Sequence, residues 1–284
     1  MLATPHPLTY EDIVRRALLE DVGRGGDLTT DAVVAPGDGA TASIVARRAG
    51  RVAGLEVARM AFRLLDGAVR FDVVTADGCD AGRGDTLAVV QGPARPILTG
   101  ERTALNFLGR LSGIASVTRD VVALVAPHPA RVVCTRKTTP GLRLLEKYAV
   151  RAGGGANHRF GLDDAVLVKD NHVVAAGDVG EAIRRVRRHV GHMVKVEVEV
   201  DTLAQLEVAL REAVDAVLLD NMDVETLREA VRMVGGRALT EASGGITPQT
   251  AAAVAATGVD LMSIGWLTHS APSLDVALDF SFKV

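Results

Sequence analysis

Apolar residues recur along this chain with two different spacings, and the change between them falls near residue 130. Over residues 9–22, Ile13, Val14, Ala17 and Leu18 line up on one helical face, and Thr9 is placed to cap it. The glycine-rich GRGGDLTTD (23–31) ends that helix. From 41 to 96 the pattern predicts short strands around one helix. TASIVARRAGRVAG and TLAVVQGPARPIL read as strands, and LEVARMAFRLL (55–65) keeps helical spacing. Thr99 to Ala126 predicts helix again, with a break near Ser112-Gly113.

Beyond residue 130 short β-rich apolar runs alternate with helical stretches. The runs are RVVCTRK (131–137), AVLVKDNH (165–172), KVEVEV (195–200), AVLLDNM (216–222), ALTEASGGI (238–246) and LMSIGWLTH (261–269). Asp201 is placed to cap TLAQLEVALREAV, and Thr247-Pro248 opens QTAAAVAATG as N-cap and first helical residue. Such alternation predicts parallel βα units. Each run finishes in polar residues: Arg136-Lys137, Lys169-Asp170, Glu199, Asp220-Asn221, Glu241 to Gly245 and Ser263 to Gly265. In a parallel α/β barrel all strand C-termini open on one face, where active sites sit. The expected fold is α/β: a barrel with six strands visible and room for a seventh, preceded by a smaller α+β domain. An open doubly wound sheet would also gather its strand ends, but no GxGxxG follows the first strand.

Composition narrows the partners. The chain has 284 residues, 48% hydrophobic and 24% charged, enough for a large core in one or two domains. A net charge of −3 offers no global field for nucleic acid or a membrane surface, so an anion site must be built locally. Cys79 and Cys134 lie far apart without a CxxC, which predicts reduced thiols. No signal-like or membrane-spanning apolar run is evident, and a cytoplasmic location is the expectation.

Four basic side chains fall within a short span: Arg136, Lys137, Arg159 and Lys169. Arginine offers a planar fork for carboxylate or phosphate, and lysine a compact charge. Glu199 and Asp220 end later strands, so the rim is part basic and part acidic. That mixture suits a polyanionic substrate with hydroxyls or a divalent cation such as Mg2+. Ser243-Gly244-Gly245 and Ser263-Ile264-Gly265 are small strand ends that let backbone N–H groups approach a phosphate. Taken singly each has a plainer reading: a basic residue near a strand end is usually a salt-bridged surface group, His158 a structural hydrogen-bonder, EVEVD an alternating strand.

In order along the chain, EDVGRGGDLTT (20–30), ERTALNFLGRLSGIAS (101–116), TRKTTPGLRLLEKYAV (135–150), GGGANHRFGLDDAVLVKDNH (153–172), EVEV (197–200), LDNM (219–222), EASGGI (241–246) and GWLTHS (265–270) resemble the quinolinate phosphoribosyltransferase family. The resemblance runs nearly end to end. It implies an N-terminal α/β sandwich domain at 1–112, with the 270–284 tail packing on it, and an incomplete TIM-like barrel at 113–269. It implies a homodimer, with higher assembly open, in which Arg102 crosses to the partner's site. It further implies that quinolinate and phosphoribosyl pyrophosphate are the substrates and Mg2+ the cofactor. Arg136, His158, Arg159 and Lys169 match the quinolinate pocket, and Thr135 is a further substrate-binding position. Lys137 and Lys169 also reach phosphoribosyl pyrophosphate. Glu199 and Asp220 match the acids around the ribose hydroxyls and Mg2+, and with the two lysines make the catalytic set. Ser243, Gly244, Gly245, Ser263, Ile264 and Gly265 match the 5′-phosphate loops, with His269 close by.

Four departures stand out: Cys134 where an aspartate is common, Gly109 for a common glutamine, the bulky Trp266, and an extra glycine in GRGGD. Two rival activities remain open. One is the similar phosphoribosyltransferase-like protein of molybdate operons, which usually lacks the Lys169 equivalent. The other is a barrel lyase using Lys137 or Lys169 as a Schiff base.

Overall fold

The computed structural model describes residues 2–282; Met1, Lys283 and Val284, which the domain and tail assignments include, lie outside the described residues. The first part of the chain forms α1 (Glu11–Val22), α2 (Leu28–Val33), β1 (Gly39–Ala46), β2 (Gly50–Arg51), α3 (Leu55–Leu65), β3 (Arg70–Val73), β4 (Asp80–Ala81), β5 (Thr86–Pro93) and the long α4 (Ala94–Val125). Then come β6 (Arg131–Val133), α5 (Arg143–Ala152), β7 (Val166–Val168), α6 (Asp170–Ala176), α7 (Val179–His189) and β8 (Val196–Val200). The chain continues through α8 (Leu203–Arg211), β9 (Ala216–Asp220), α9 (Val224–Val234), β10 (Leu239–Ser243), α10 (Pro248–Ala255), β11 (Leu261–Ser263), α11 (Trp266–His269) and β12 (Val276–Phe282).

These elements make two compact units. The first runs from the N-terminus to Arg119, takes in Thr138–Gly154, and includes the chain from Leu267 on. Its antiparallel sheet has the order β12-β1-β5-β3, and β2 pairs with β4. Alternation along β1 buries Ala40, Ala42 and Ile44 on one face; a register shift between Ile44 and Val45 then ends the regular pairing with β5. The boundary read from the sequence lies at 112/113, whereas residues 138–154 and 267–269 group with this unit. Side-chain bonds explain it: Glu146 of α5 is fully buried and takes Arg110 Nη2 at 2.8 Å, and Tyr148 donates to Asp77 at 2.6 Å.

Three local expectations change. Helix α4 is continuous through Ser112-Gly113. Ser112 Oγ accepts from Ala53 N–H at 3.0 Å, and a Cβ on Gly113 would sit 2.0 Å from the Pro272 carbonyl oxygen. The glycine serves a close approach rather than a break. Gly109 has the same origin, with the Leu274 carbonyl oxygen 2.8 Å from where a Cβ would be. Thr9 lies in a 3-10 turn and donates to His6 O, so α1 starts at Glu11 without a side-chain cap. The cap of α8 is Thr202, paired reciprocally with Gln205, and not Asp201.

The second unit holds Asp120–Lys137 and Gly155–Trp266. Its six strands are all parallel, in the order β6-β11-β10-β9-β8-β7. From β7 to β11 each strand neighbours the next, and β6 joins the far side of β11. A doubly wound sheet reverses direction part-way; this one winds a single way round and stays open between β6 and β7. An isolated parallel bridge, Val133 to Ala156, touches β6 on the way to β7. This is the incomplete α/β barrel. Along β8, Val196, Val198 and Val200 are fully buried on one face, which leaves Glu197 and Glu199 on the other.

Candidate active site

Strand polarity decides where the chemistry collects. Lys169 directly follows β7 and caps the start of α6, where its backbone N–H donates to His172 Nδ1 at 2.9 Å. Its ammonium forms an ion pair with Glu199 of β8, whose side chain is only 11% exposed. Asp220 ends β9, half-buried, and accepts from the Asn221 side-chain amide at 2.6 Å.

Beside them lies a second group. His158 Nε2 is 2.9 Å from Glu197 Oε2 and 3.7 Å from Glu241 Oε1. Glu241 is 1% exposed and Oε1 has no hydrogen-bond partner. Burial, then the Glu197 carboxylate, raise the Glu241 carboxyl to about 7. Glu241 is therefore not a rim residue, as its place near a strand end had suggested; it sits mid-strand in β10. Among the described residues, His158, Glu197 and Glu241 are also the one set of three potential metal-ligand side chains, with ligand atoms within 4.8 Å of one another.

Arg159 follows His158. Its Nη1 donates to Ala165 O at 2.8 Å. Burial, and next the positive charge of Arg136, pull its pKa below the ordinary arginine value, though a guanidinium stays charged at neutral pH. Two guanidinia held this close define a place for an anion. In the TRK segment Thr135 Oγ1 accepts from Lys137 N–H at 3.0 Å, which turns the chain and leaves Lys137 exposed. Cys134, fully buried, directs its thiol at Asn157 Oδ1, 3.4 Å away.

The small strand ends divide. Gly244 and Gly245 are exposed and have φ of +95° and +59°. A Cβ on Gly244 would lie 2.1 Å from Asn221 Oδ1, so glycine is required there. With Ser243 half-buried beside them, this loop can bring backbone to a phosphate. Ile264 cannot offer its amide in the way expected: it is buried, and its N–H already donates to Val133 O at 3.0 Å. Ser263 is buried and Gly265 half-buried. Trp266, the bulky departure, is held by its indole N–H on Ile246 O at 2.9 Å.

Arg102 and His269 belong to the first unit. Arg102 is exposed on α4 and lines a cleft of about 370 Å³ with Glu20, Asp21, Asn106 and Arg110. His269 is exposed, with Nδ1 2.6 Å from Ser270 Oγ.

Known proteins share this sequence and fold. Residues 27–112 match the model described as quinolinate phosphoribosyl transferase, N-terminal domain, and residues 114–279 match its C-terminal domain. The chain belongs to the quinolinate phosphoribosyltransferase family. A probable nicotinate-nucleotide pyrophosphorylase (carboxylating) of Bacillus subtilis is 43% identical, over 97% of this chain and 95% of that one. The nicotinate-nucleotide pyrophosphorylase (carboxylating) of Mycobacterium leprae is 46% identical, over 94% and 96%. The crystal structure of NadC from Streptococcus pyogenes matches with a TM-score of 0.96 at 41% identity, over 99% of this chain and all of that one.

Membership gives the rim its context, but it did not single out Glu197 and Glu241. A signal for Glu197 was present. In a strand, residues two apart share a face, so Glu197 necessarily accompanies Glu199. Glu241 carried a weaker one, a charged residue inside an otherwise apolar strand.

Proposed function

We propose that this chain is a decarboxylating quinolinate phosphoribosyltransferase of NAD biosynthesis, converting quinolinate and phosphoribosyl pyrophosphate to nicotinate mononucleotide, pyrophosphate and CO2. The supporting observation is the ion pair of Lys169 with Glu199 at the ends of neighbouring strands, with Asp220 ending the next strand and the Arg136 charge acting on Arg159, in a member of this family.

Quinolinate has two adjacent carboxylates, and phosphoribosyl pyrophosphate carries a 5′-phosphate and a diphosphate. Bringing them together costs charge repulsion that a preorganised cationic pocket offsets. Arg136 and Arg159, with Thr135 and the partner-donated Arg102, hold the carboxylates. Lys137 and Lys169 face the diphosphate. The Ser243–Gly245 loop, with Ser263 and Gly265, receives the 5′-phosphate near His269. The ring nitrogen attacks ribose C1 as diphosphate leaves, and the Glu199 and Asp220 carboxylates favour the positive charge that develops there. N-alkylation makes the pyridine an electron sink, so CO2 leaves from C2. Positioning alone is worth roughly 7–11 kcal/mol in good intramolecular models. Glu199 and Asp220 are hard oxygen donors on neighbouring strands, which suits Mg2+; when bound it would neutralise charge on the leaving diphosphate.

Two observations weigh against the rivals. Lys169 is present, and its side chain is already engaged by Glu199 in an ion pair, whereas a Schiff-base lysine must be open to a carbonyl substrate. The working form is a homodimer in the cytoplasm; among the described residues no helix is long and apolar enough to cross a membrane. The test is a direct assay with quinolinate, phosphoribosyl pyrophosphate and Mg2+, with nicotinate as competitor. Nicotinate mononucleotide and CO2 from quinolinate are expected. Turnover of nicotinate instead, or of neither, overturns the reading.

A further inference from the structure

The family resemblance puts His158 in a positive pocket, as a group whose ring would meet a substrate carboxylate. Its hydrogen bonds point elsewhere. The Arg159 backbone N–H donates to His158 Nδ1 at 2.7 Å. A nitrogen that accepts an N–H carries no proton of its own, so the ring proton sits on Nε2. Nε2 in turn faces two carboxyl groups, Glu197 Oε2 at 2.9 Å and Glu241 Oε1 at 3.7 Å. Both nitrogens are thereby engaged by the protein, and the ring side chain is 13% exposed.

We propose that Glu197 is a positioning residue: it holds His158 as the neutral Nε2–H tautomer, and through Nδ1 that ring fixes the backbone of Arg159, so that the guanidinium is aimed at the carboxylates of the anionic substrate. The proposal deepens the functional reading above and rests on it for the identity of the substrate. The geometry is continuous. Glu197 projects from β8 on the same face as Glu199, His158 bonds it, Arg159 N–H bonds His158, and Arg159 Nη1 is anchored on Ala165 O just before β7. Every link lies in the second unit. Glu241 approaches the same Nε2 from 3.7 Å, and its carboxyl, raised by burial, does so without adding a full second charge. A metal ion on the same three side chains would need Nε2 without its proton, so the two readings exclude each other.

Positioning and plain electrostatics predict opposite signs. Glu197 is an acid near a polyanion site; if only its charge mattered, removing it would tighten anion binding. If it positions Arg159, removing it loosens the anion. The experiment compares Glu197→Ala and Glu197→Gln in the full-length enzyme, separating KM for quinolinate, KM for phosphoribosyl pyrophosphate and kcat. The expected result is a rise of about tenfold in quinolinate KM for Glu197→Ala, the size of one lost hydrogen bond to a charged group. The KM for phosphoribosyl pyrophosphate stays within about twofold, because its contacts are on other residues. Glu197→Gln keeps an oxygen acceptor for Nε2–H and recovers most of the loss. An unchanged or lowered quinolinate KM in Glu197→Ala overturns the proposal, as does failure of Glu197→Gln to recover in a normally folded protein. A second readout does not depend on turnover. The 15N shifts of the His158 ring, assigned by difference against His158→Asn, are expected to show one protonated and one unprotonated nitrogen at pH 7. A doubly protonated ring, or stoichiometric Mn2+ binding lost in Glu241→Gln, overturns it. If the wild type ignores quinolinate while the ring shows the neutral tautomer, the substrate assignment falls and the hydrogen-bonded network stands.

Discussion

Lys169 and Glu199 are bonded to each other across neighbouring parallel strands, the lysine just past the end of β7 and the acid one residue short of the end of β8. The acid is the more buried partner, so its carboxylate depends on the lysine more than the reverse. Lys169→Ala therefore leaves a poorly hydrated charge as well as removing a cation. In the proposed reaction both groups meet phosphoribosyl pyrophosphate. Lys169→Ala and Glu199→Ala are each expected to lower kcat/KM by at least about a hundredfold, on the order of 3 kcal/mol. Residues in one network are not additive, so the double variant should be much less impaired than the product of the two losses. Additive losses in a double-mutant cycle would show that the pair does not act as a unit.

The strand-end charges were legible because a parallel sheet gives sequence order a spatial meaning. Once alternating βα units are recognised, Lys169, Glu199 and Asp220 must share a face. The larger misreadings share a physical source, contacts between residues distant in sequence. Gly113 looks like a helix breaker by local propensity, but what requires glycine there is the Pro272 carbonyl, far along the chain. Residues 138–154 sit between two strands of the barrel in sequence, yet Glu146 and Tyr148 bond to Arg110 and Asp77 of the first unit. Glu241 was read as one more polar strand end, because nothing local distinguishes a rim carboxylate from one buried mid-strand.

Gly113 tests that account with an inverted sign. In an exposed helix interior, Gly→Ala stabilises by about 0.5–1 kcal/mol. Here the new methyl would be 2.0 Å from a backbone oxygen, which no side-chain rotation relieves. Gly113→Ala should destabilise by about 1–3 kcal/mol, the usual cost of overpacking. Chemical denaturation gives the sign directly, and a stabilised variant would mean that α4 and the segment at 272 do not pack this way.

Asp80 should shape the acid limb of stability. Side-chain hydrogen bonds from Arg51, then Arg119, hold its carboxyl down to about 2 against an ordinary 3.8. A depressed pKa means that the folded state keeps the ionised form longer. The stabilisation is present above about pH 4 and is lost as pH falls through about 2. Because Asp80 is half-exposed, solvent screening limits the effect to less than about 1 kcal/mol. Asp80→Asn should flatten stability over that window, and an unchanged acid limb in urea denaturation at stepped pH would remove Asp80 from it.

Glu241 should act in the opposite direction. Burial and the neighbouring Glu197 raise its carboxyl to about 7, against an ordinary 4.5, and a side-chain hydrogen bond with Ser263 opposes the rise. The folded state therefore binds its proton more tightly than the unfolded chain does. The corresponding stability is fully present below about pH 4.5 and is lost as pH rises through about 7. Glutamine imitates the protonated acid without titrating. Glu241→Gln should then match the wild type near pH 5, exceed it near pH 8, and show a flatter profile between them. Charge alone cannot imitate this, because Glu241→Ala also opens a cavity and should be less stable at every pH. A Glu241→Gln profile parallel to the wild type would place the proton on another member of the cluster.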